Sequence, residues 1–150
     1  MLAAGKRALH SIQSRYLYEG SKEIVLERHK NSDDESIVIT TLTLNRPKAN
    51  AWNRSMVASL KDLVQELRED NDARCLVLNS ALPKVFSAGA DLKERATMSM
   101  EEAEAFVAEL RDTFQDVAEL PMPVIACVEG AALGGGLELA LAADVRVVSP

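Results

Sequence analysis

The chain has 150 residues, of which 47% are hydrophobic, 27% charged and 4% aromatic, as expected for a single folded domain. Its 17 basic and 23 acidic residues give a formal net charge of −6, which argues against general binding to nucleic-acid phosphates. No apolar run approaches the roughly 20 residues that span a bilayer, and no cysteine–histidine cluster has metal-ligand spacing. The composition excludes a fibrous or transmembrane protein, and we expect neither a metal site nor a membrane partner.

The cysteines indicate a reducing compartment. Cys75 and Cys127 are too few for a disulfide scaffold, and they lie in the apolar runs CLVL and VIACV. Free cysteines are among the most frequently buried residues, so we expect two buried, reduced thiols.

The amino terminus differs in composition from the rest of the chain. Residues 1–18 contain three basic residues and no acidic one, with leucines spaced among small and hydroxyl side chains. This pattern predicts a mitochondrial transit peptide, although a frayed basic tail would have a similar composition. We therefore divide the chain into a targeting segment, 1–18, and a folded part, 19–150.

The first half of the folded part predicts a hairpin, a helix and a strand. Residues 23–28 and 37–44 have strand composition and are joined by a polar loop. Asn53 then precedes a single apolar face of helical period that ends near residues 71–72. A short buried strand, CLVLN, follows at 75–79.

The second half continues this alternation of helices and strands. Ser99 and Glu102 have the spacing of a capping box, and the helical period continues from there to Pro121. After it we expect a buried strand at 124–128, a glycine turn, a helix to about residue 142 and a strand at 145–148. Such alternation predicts an α/β fold. Because the chain ends directly after a buried-looking strand, we expect it to be cut short.

Two glycine-containing segments are candidates for chemistry. FSAGADLKE at 86–94 and GAALGGGLELA at 130–140 each follow a strand and lead towards a helix, where backbone N–H groups can bind an anion. Neither contains the Lys-Ser/Thr of a phosphate loop, and Leu139 breaks a dinucleotide fingerprint. The backbone N–H groups of these segments are better suited to an oxyanion hole, in which donors near Ala90 and in the triple glycine bind one thioester oxygen.

Glu138 is the candidate acid–base group. It lies three residues after Gly135, close to one helical turn, and the apolar run LGGGLELALAAD indicates a helix buried on most sides. The alternative is an ordinary solvated helix residue. Asp91 and Asp144 could also act as bases, but a structural role near a helix terminus fits each of them better. No serine or cysteine has an evident histidine partner for nucleophilic catalysis.

Three segments in this order resemble the enoyl-CoA hydratase/isomerase (crotonase) superfamily. They are LNRPKANAWN, SAGADLKE and EGAALGGGLELALAADVRV, and the resemblance covers residues 23–150. The amino-acid sequences of the two glycine segments are most similar to those of the branch that contains methylglutaconyl-CoA hydratase and its AU-rich-RNA-binding relatives.

The resemblance implies the amino-terminal part of a crotonase/ClpP-like spiral of ββα units, normally a homotrimer or a hexamer, that binds acyl-CoA thioesters. It implies an oxyanion hole from the N–H groups of Ala90 and Gly135, and Glu138 as the first catalytic glutamate, which holds water and moves its proton. The residues implied to line the substrate or the CoA phosphates are Ala90, Asp91, Leu92, Lys93, Gly135 and Lys48. No cofactor is implied beyond the CoA that arrives with the substrate.

The chain departs from the family pattern in ways that leave alternatives open. The second glutamate of hydratases would lie beyond Pro150, so a hydratase, a one-carboxylate isomerase and an inactive, truncated binding or assembly partner all fit. Trp52 replaces a smaller aliphatic residue and predicts an altered acyl or adenine pocket. The helix after the first strand pair carries three basic against four acidic residues, so RNA binding is not expected. The favoured reading is a mitochondrial-matrix hydratase of fatty-acid or branched amino-acid breakdown.

Overall fold

The computed structural model of the chain describes residues 14–16, 23–30 and 37–149. Of the predicted targeting segment, only residues 14–16 fall within this part, and they form strand β1 (Ser14–Tyr16), which pairs antiparallel with the next strand. The remainder of that segment lies outside the described residues, and mitochondrial targeting stays a prediction.

Six strands form the main sheet. In order across the sheet they are β1, β2 (Ile24–Lys30), β3 (Val38–Leu44), β4 (Ala73–Ser80), β6 (Val124–Val128) and β8 (Val145–Val148). The first three strands are antiparallel, and the strands from β3 onwards are parallel. The predicted hairpin is confirmed, with Ile24 opposite Leu44 and Lys30 opposite Val38.

Two long helices pack together beside this sheet, both begin at a side-chain cap, and the predicted Ser99–Glu102 cap is confirmed. Helix α1 (Arg54–Glu69) begins where the Asn53 side chain accepts from Met56 N at 2.7 Å. Helix α3 (Met100–Ala118) begins with the Ser99–Glu102 capping box. The hydrogen bond from the Ser99 N–H is the main cause that lowers the pKa of the Glu102 carboxyl, and Arg54 acts in the same direction. Each helix ends two or three residues before its predicted end.

Three ion pairs spaced seven residues apart join α1 to α3. They are Arg54–Glu102, Lys61–Glu109 and Arg68–Asp116, at 3.1, 3.2 and 2.9 Å. All six side chains are well exposed, so solvent screening leaves each pair only a small contribution to stability. The basic side chains of α1 are thereby each matched by a carboxylate of α3.

The core lies between the sheet and these helices. It contains the inward side chains of alternate strand positions and of the apolar helix faces, among them Leu42, Leu44, Met56, Leu60, Leu76, Leu78 and Phe114. Burying a leucine side chain contributes about 1.5–3 kcal/mol to the free energy of folding. This core layer therefore stabilises the elements that carry the glycine segments.

Besides β1, three short elements were not predicted from the sequence. Strands β5 (Val85–Ser87) and β7 (Ala131–Ala132) form a separate parallel pair, and a single turn of helix, α2 (Leu92–Arg95), follows the first glycine segment. Elements of two to four residues are too short to show a hydrophobic period. They nevertheless bring the two glycine segments side by side.

The expected burial is wrong in three places. Cys75 and Cys127 are half-buried, and that partial burial raises the pKa of the Cys75 thiol. Every residue of β8 is exposed, since β8 is the edge strand of the described sheet. Helix α4 (Gly135–Ala142) buries Leu139 and Ala140 but exposes Leu137 and Leu141, because it packs on α3, β5 and β7 by one face and no described element covers the other. Within the described residues, no helix combines the length and apolarity needed to cross a membrane.

Candidate active site

A cavity of about 950 Å³ brings together residues from five parts of the chain. Its walls come from Glu23, the loop at 46–51, the glycine segment at 88–95, helix α3 and the start of helix α4. All seven residues predicted for the site line this one cavity: Lys48, Ala90, Asp91, Leu92, Lys93, Gly135 and Glu138.

A single β-bridge orients the backbone at Ala90. Trp52 N donates to Gly89 O and Asp91 N donates to Trp52 O, both at 2.8 Å, which pairs Trp52 with Ala90 in a parallel bridge. In this bridge, Trp52 bonds to the Gly89 carbonyl and the Asp91 N–H, which belong to the residues on either side of Ala90. The N–H of Ala90 itself is directed away from Trp52. Within the described residues, the Ala90 N–H has no acceptor.

The second glycine segment packs directly on the first. A Cβ on Gly89, whose φ is +85°, would lie 2.8 Å from Leu133 O and 3.3 Å from Gly135 N, so only glycine allows this approach. Gly135 is the first residue of α4, where an N–H has no partner inside the helix. In the part of the chain that the structure describes, the Gly135 N–H accordingly has no acceptor, and both free donors lie at one junction.

Glu138 lies one helical turn from this junction. Its N–H donates to Gly134 O at 3.0 Å, which fixes it in the first turn of α4. Its side chain lines the same cavity as Ala90 and Gly135 but is exposed, contrary to the expectation of a helix buried on most sides. A carboxylate in this position is accessible to water and to a ligand in the cavity.

Asp91 has the structural role that the sequence favoured. It is the N-cap of α2, where it accepts from Lys93 N and Glu94 N, and Arg46 Nη2 donates to its Oδ2 at 2.6 Å. The hydrogen bond from Arg46 is the main cause that lowers the Asp91 pKa, and the two backbone donors act in the same direction. Asp144 accepts from Val124 N at 2.8 Å and does not line this cavity.

Sequence reasoning missed Arg46 as a member of the site. Its Nε donates to Glu23 Oε1 at 3.0 Å and its Nη1 to Ala51 O at 2.9 Å, in addition to the contact with Asp91. One guanidinium therefore joins the residue before β2, the 46–51 loop and the residue after Ala90. The five donors of arginine make this possible, and a lysine could not replace it. The only sequence feature that could have indicated a role for Arg46 was the family-like segment NRPKAN, in which it lies.

Asn50 is the second residue that was missed. It is fully buried with φ of +48°, a conformation that asparagine tolerates better than most residues. Its side chain accepts from Arg46 N and donates to Phe86 O and Ser80 Oγ, at 2.8, 2.9 and 2.8 Å. Its carbonyl accepts from Ser87 Oγ at 2.8 Å. These bonds attach the NRPKAN loop to the strand that leads into Gly89.

Trp52 does not shape the cavity wall as predicted. The side chain is fully buried, and its ring packs edge-on against Phe114 with centroids 5.3 Å apart. A Cβ on Gly135 would lie 3.4 Å from the Trp52 ring, so the indole forms the layer beneath the second glycine segment. The described residues contain no cluster of side chains suited to hold a metal ion.

Comparison with known proteins identifies the family. Residues 34–150 match the model of the enoyl-CoA hydratase/isomerase family. The chain belongs to this family. It is 43% identical to the human mitochondrial methylglutaconyl-CoA hydratase over 123 residues, which are 81% of this chain and 36% of that protein. It is 40% identical to a probable mitochondrial enoyl-CoA hydratase 2 of Arabidopsis thaliana, covering 91% of this chain and 48% of the relative.

Solved structures confirm the crotonase fold of this enoyl-CoA hydratase/isomerase family member. The enoyl-CoA hydratase of Bacillus anthracis superposes with a TM-score of 0.72 at 34% identity, covering 90% of this chain and 46% of that one. The chain thus spans about half or less of the length of these relatives.

Proposed function

We propose that this chain is an enoyl-CoA hydratase-type lyase that adds water across the double bond of an α,β-unsaturated acyl-CoA. The observation that carries the proposal is the junction of two unpaired backbone donors, Ala90 N–H and Gly135 N–H, one helical turn from the accessible carboxylate of Glu138. Family membership supports the same chemistry.

In the proposed reaction, the two N–H groups bind the thioester oxygen and stabilise the negative charge that it gains as an enolate forms. Glu138 accepts a proton from a water molecule as the water oxygen bonds to Cβ. That proton then passes to Cα, so one water is consumed and no other reactant is needed. Donors already fixed by the bridge and by α4 need no reorganisation when the charge develops.

We propose that the CoA part of the substrate lies towards Lys48 and Lys93. Both line the cavity, and neither has an anionic partner within the described residues. Ammonium groups are suited to the phosphates of CoA. The resemblance supports Leu92 and Asp91 as further residues that line the bound substrate. No separate CoA cofactor is proposed, because CoA is part of the substrate.

Double-bond isomerisation is the second candidate. Three carboxylates line the cavity, and Glu23 and Asp91 both bind Arg46, which leaves Glu138 for proton transfer. A single carboxylate could remove a proton at one carbon and return it at another. A catalytically inactive binding or assembly partner is the third possibility, and it predicts CoA-thioester affinity without turnover.

The decisive variant is Glu138→Gln, compared with Glu129→Gln, an exposed glutamate outside the cavity. We expect hydration of crotonyl-CoA to fall by about 10²–10⁴-fold in the first variant and to be unchanged in the second, with both circular dichroism spectra like the wild type. Retained hydration in Glu138→Gln overturns the assignment. If the wild-type chain instead folds and binds crotonyl-CoA but neither hydrates it nor isomerises 3-enoyl-CoA, that result supports the hypothesis of an inactive binding partner.

We further propose a mitochondrial-matrix location and assembly into trimers or hexamers, with no role for RNA. The basic composition of residues 1–18 and the mitochondrial names of the relatives support the location. Fusion of residues 1–18 to a reporter protein, followed by an import assay with isolated mitochondria, tests it. Analytical ultracentrifugation tests the assembly.

A further inference from the structure

The helix that carries both Gly135 and Glu138 is short and is packed on one side. Helix α4 has eight residues, so it is about 12 Å long, and no side chain caps its amino-terminal end. It buries Leu139 but exposes Leu137 and Leu141. Because one packed face fixes the direction of so short a helix poorly, the contacts at its two ends set that direction.

The amino-terminal end of α4 is fixed by its close approach to β5. A Cβ on Gly136 would lie 2.4 Å from Ser87 O, so the two backbones are in direct contact. The Gly136 N–H also donates to Leu133 O at 2.8 Å. This end is therefore a fixed point, and the direction of the helix depends on what holds its other end.

The carboxyl-terminal end of α4 is held by Arg146 of β8. The Asp144 N–H, which would donate to Ala140 O in a continuing helix, donates instead to Val124 O at 2.9 Å. Arg146 Nη1 donates to Ala143 O at 2.7 Å and to Ala140 O at 3.4 Å. The guanidinium thus binds the terminal carbonyls of the helix, and its charge complements the negative end of the helix dipole.

Asp144 fixes the strand from which this arginine extends. Its Oδ2 accepts from Val124 N at 2.8 Å and its own N–H donates to Val124 O, which attaches the turn after α4 to the first residue of β6. Strands β6 and β8 then pair with Ala126 opposite Arg146, and β6 pairs with β4 along its other edge. The end of α4 is therefore connected to the main sheet through Arg146.

We infer that Arg146 is a positioning residue of the proposed active site, which sets the direction of α4 by holding its carboxyl-terminal end. This inference rests on the proposed function. Arg146 does not line the cavity, so its effect on the reaction passes through the helix. A tilt of α4 about Gly136 would move the Glu138 carboxylate more than the adjacent Gly135 N–H. Loss of the arginine therefore impairs proton transfer more than binding of the thioester.

Hydrogen–deuterium exchange followed by NMR tests the hold on α4 without any need for activity. Arg146→Gln should speed exchange of the amide protons of residues 139–142 by about tenfold, and Arg146→Lys should speed it less, because an ammonium can still donate to one carbonyl. Arg74→Gln is the matched control and should leave α4 unchanged. Arg74 also donates to a backbone carbonyl, Asn71 O at 3.0 Å, but lies outside the cavity.

Hydration of crotonyl-CoA, at a temperature where circular dichroism shows every variant folded, tests the consequence for the reaction. Arg146→Gln should lower kcat by about tenfold and change KM by less than about twofold. In the Glu138→Gln background the same substitution should lower the residual kcat by less than about twofold, because the carboxylate through which it acts is already absent. A merely structural role would lower the rate equally in both backgrounds.

Unchanged exchange in α4, an unchanged kcat in Arg146→Gln, or an equal loss of kcat in both backgrounds overturns the inference and leaves the proposed function standing. A folded wild-type chain that neither hydrates nor isomerises an enoyl-CoA overturns the proposed function, and the inference with it.

Discussion

The Arg46 guanidinium donates to Asp91 Oδ2 at 2.6 Å across 45 residues of sequence, and Asp91 directly follows Ala90. This ion pair holds the segment that carries one proposed oxyanion donor against the loop after β3. The same arginine binds Glu23 and the Ala51 carbonyl, so the pair is part of a network and not an isolated surface contact. Arg46 is therefore a positioning residue of the proposed site, because it fixes Asp91 and with it the backbone at Ala90.

The first prediction concerns the strength of this ion pair. Arg46→Met should lower the free energy of unfolding by about 1–3 kcal/mol at neutral pH, because it removes three hydrogen bonds from a partly buried group. Arg46→Lys should lose part of this amount, since lysine keeps the charge but not the planar fork. Urea denaturation measures both. Equal stabilities of the wild type and Arg46→Met would contradict the role of the pair.

The pH dependence of that difference is a second prediction. The pKa of Asp91 in the folded chain lies below its ordinary 3.8, so the unfolded state takes up the proton first as the pH falls. The contribution of the pair is fully present above this ordinary value and is lost as the pH falls through the lowered one. The stability difference between the wild type and Arg46→Met should be constant from about pH 5 to 7 and shrink below about pH 4. A difference that persists unchanged under acid would exclude Asp91 as the partner that matters.

The third prediction concerns the close approach of the two glycine segments. Gly89→Ala should destabilise the chain by about 2–4 kcal/mol, because alanine is strained at φ +85° and its Cβ would lie 2.8 Å from Leu133 O. It should also weaken crotonyl-CoA binding, since the clash moves Gly135 away from Ala90. Gly134→Ala is the control: its φ is also positive, but the nearest atom to its Cβ is 3.8 Å away. Thermal unfolding should show the larger loss in Gly89→Ala, and the reverse order would refute the steric explanation.

The fourth prediction concerns Trp52 beneath the site. Trp52→Phe should cost little, because phenylalanine keeps the edge-on contact with Phe114, and the indole N–H that it removes has no acceptor within the described residues. Trp52→Ala should cost about 3–5 kcal/mol by leaving a cavity below Gly135. Chemical denaturation separates the two variants. A large loss in Trp52→Phe would indicate an acceptor for the indole N–H.

The fifth prediction concerns the start of α3, a helix that lines the cavity. Ser99→Ala should lower the free energy of unfolding by about 1 kcal/mol, because the N–H of Glu102 loses its acceptor. Ser99→Asp, which can accept the same bond, should restore most of it. If alanine and aspartate at this position give the same melting temperature, the cap contributes nothing.

The sequence by itself determined the long elements, the Ser99–Glu102 cap and the two glycine segments that line the cavity, but not Arg46 or Asn50. Their signals are local: the apolar period of α1, the Ser99–Glu102 spacing and the two glycine segments are each contained in fewer than 20 residues. The family followed from the order of those segments. Lys48 and Glu138, which are 90 residues apart, could be assigned to one site only through that resemblance.

The tertiary structure decided what depends on partners distant in sequence. Short strands such as β5 and β7 exist because they pair with each other, and Arg46 matters because folding brings Asp91 to it across 45 residues. Burial was misjudged for α4 for the same reason: an apolar sequence predicts a buried helix, but only the packing of neighbouring elements determines which face is covered. The exposure of Glu138 is a consequence of that packing, and no local pattern encodes it.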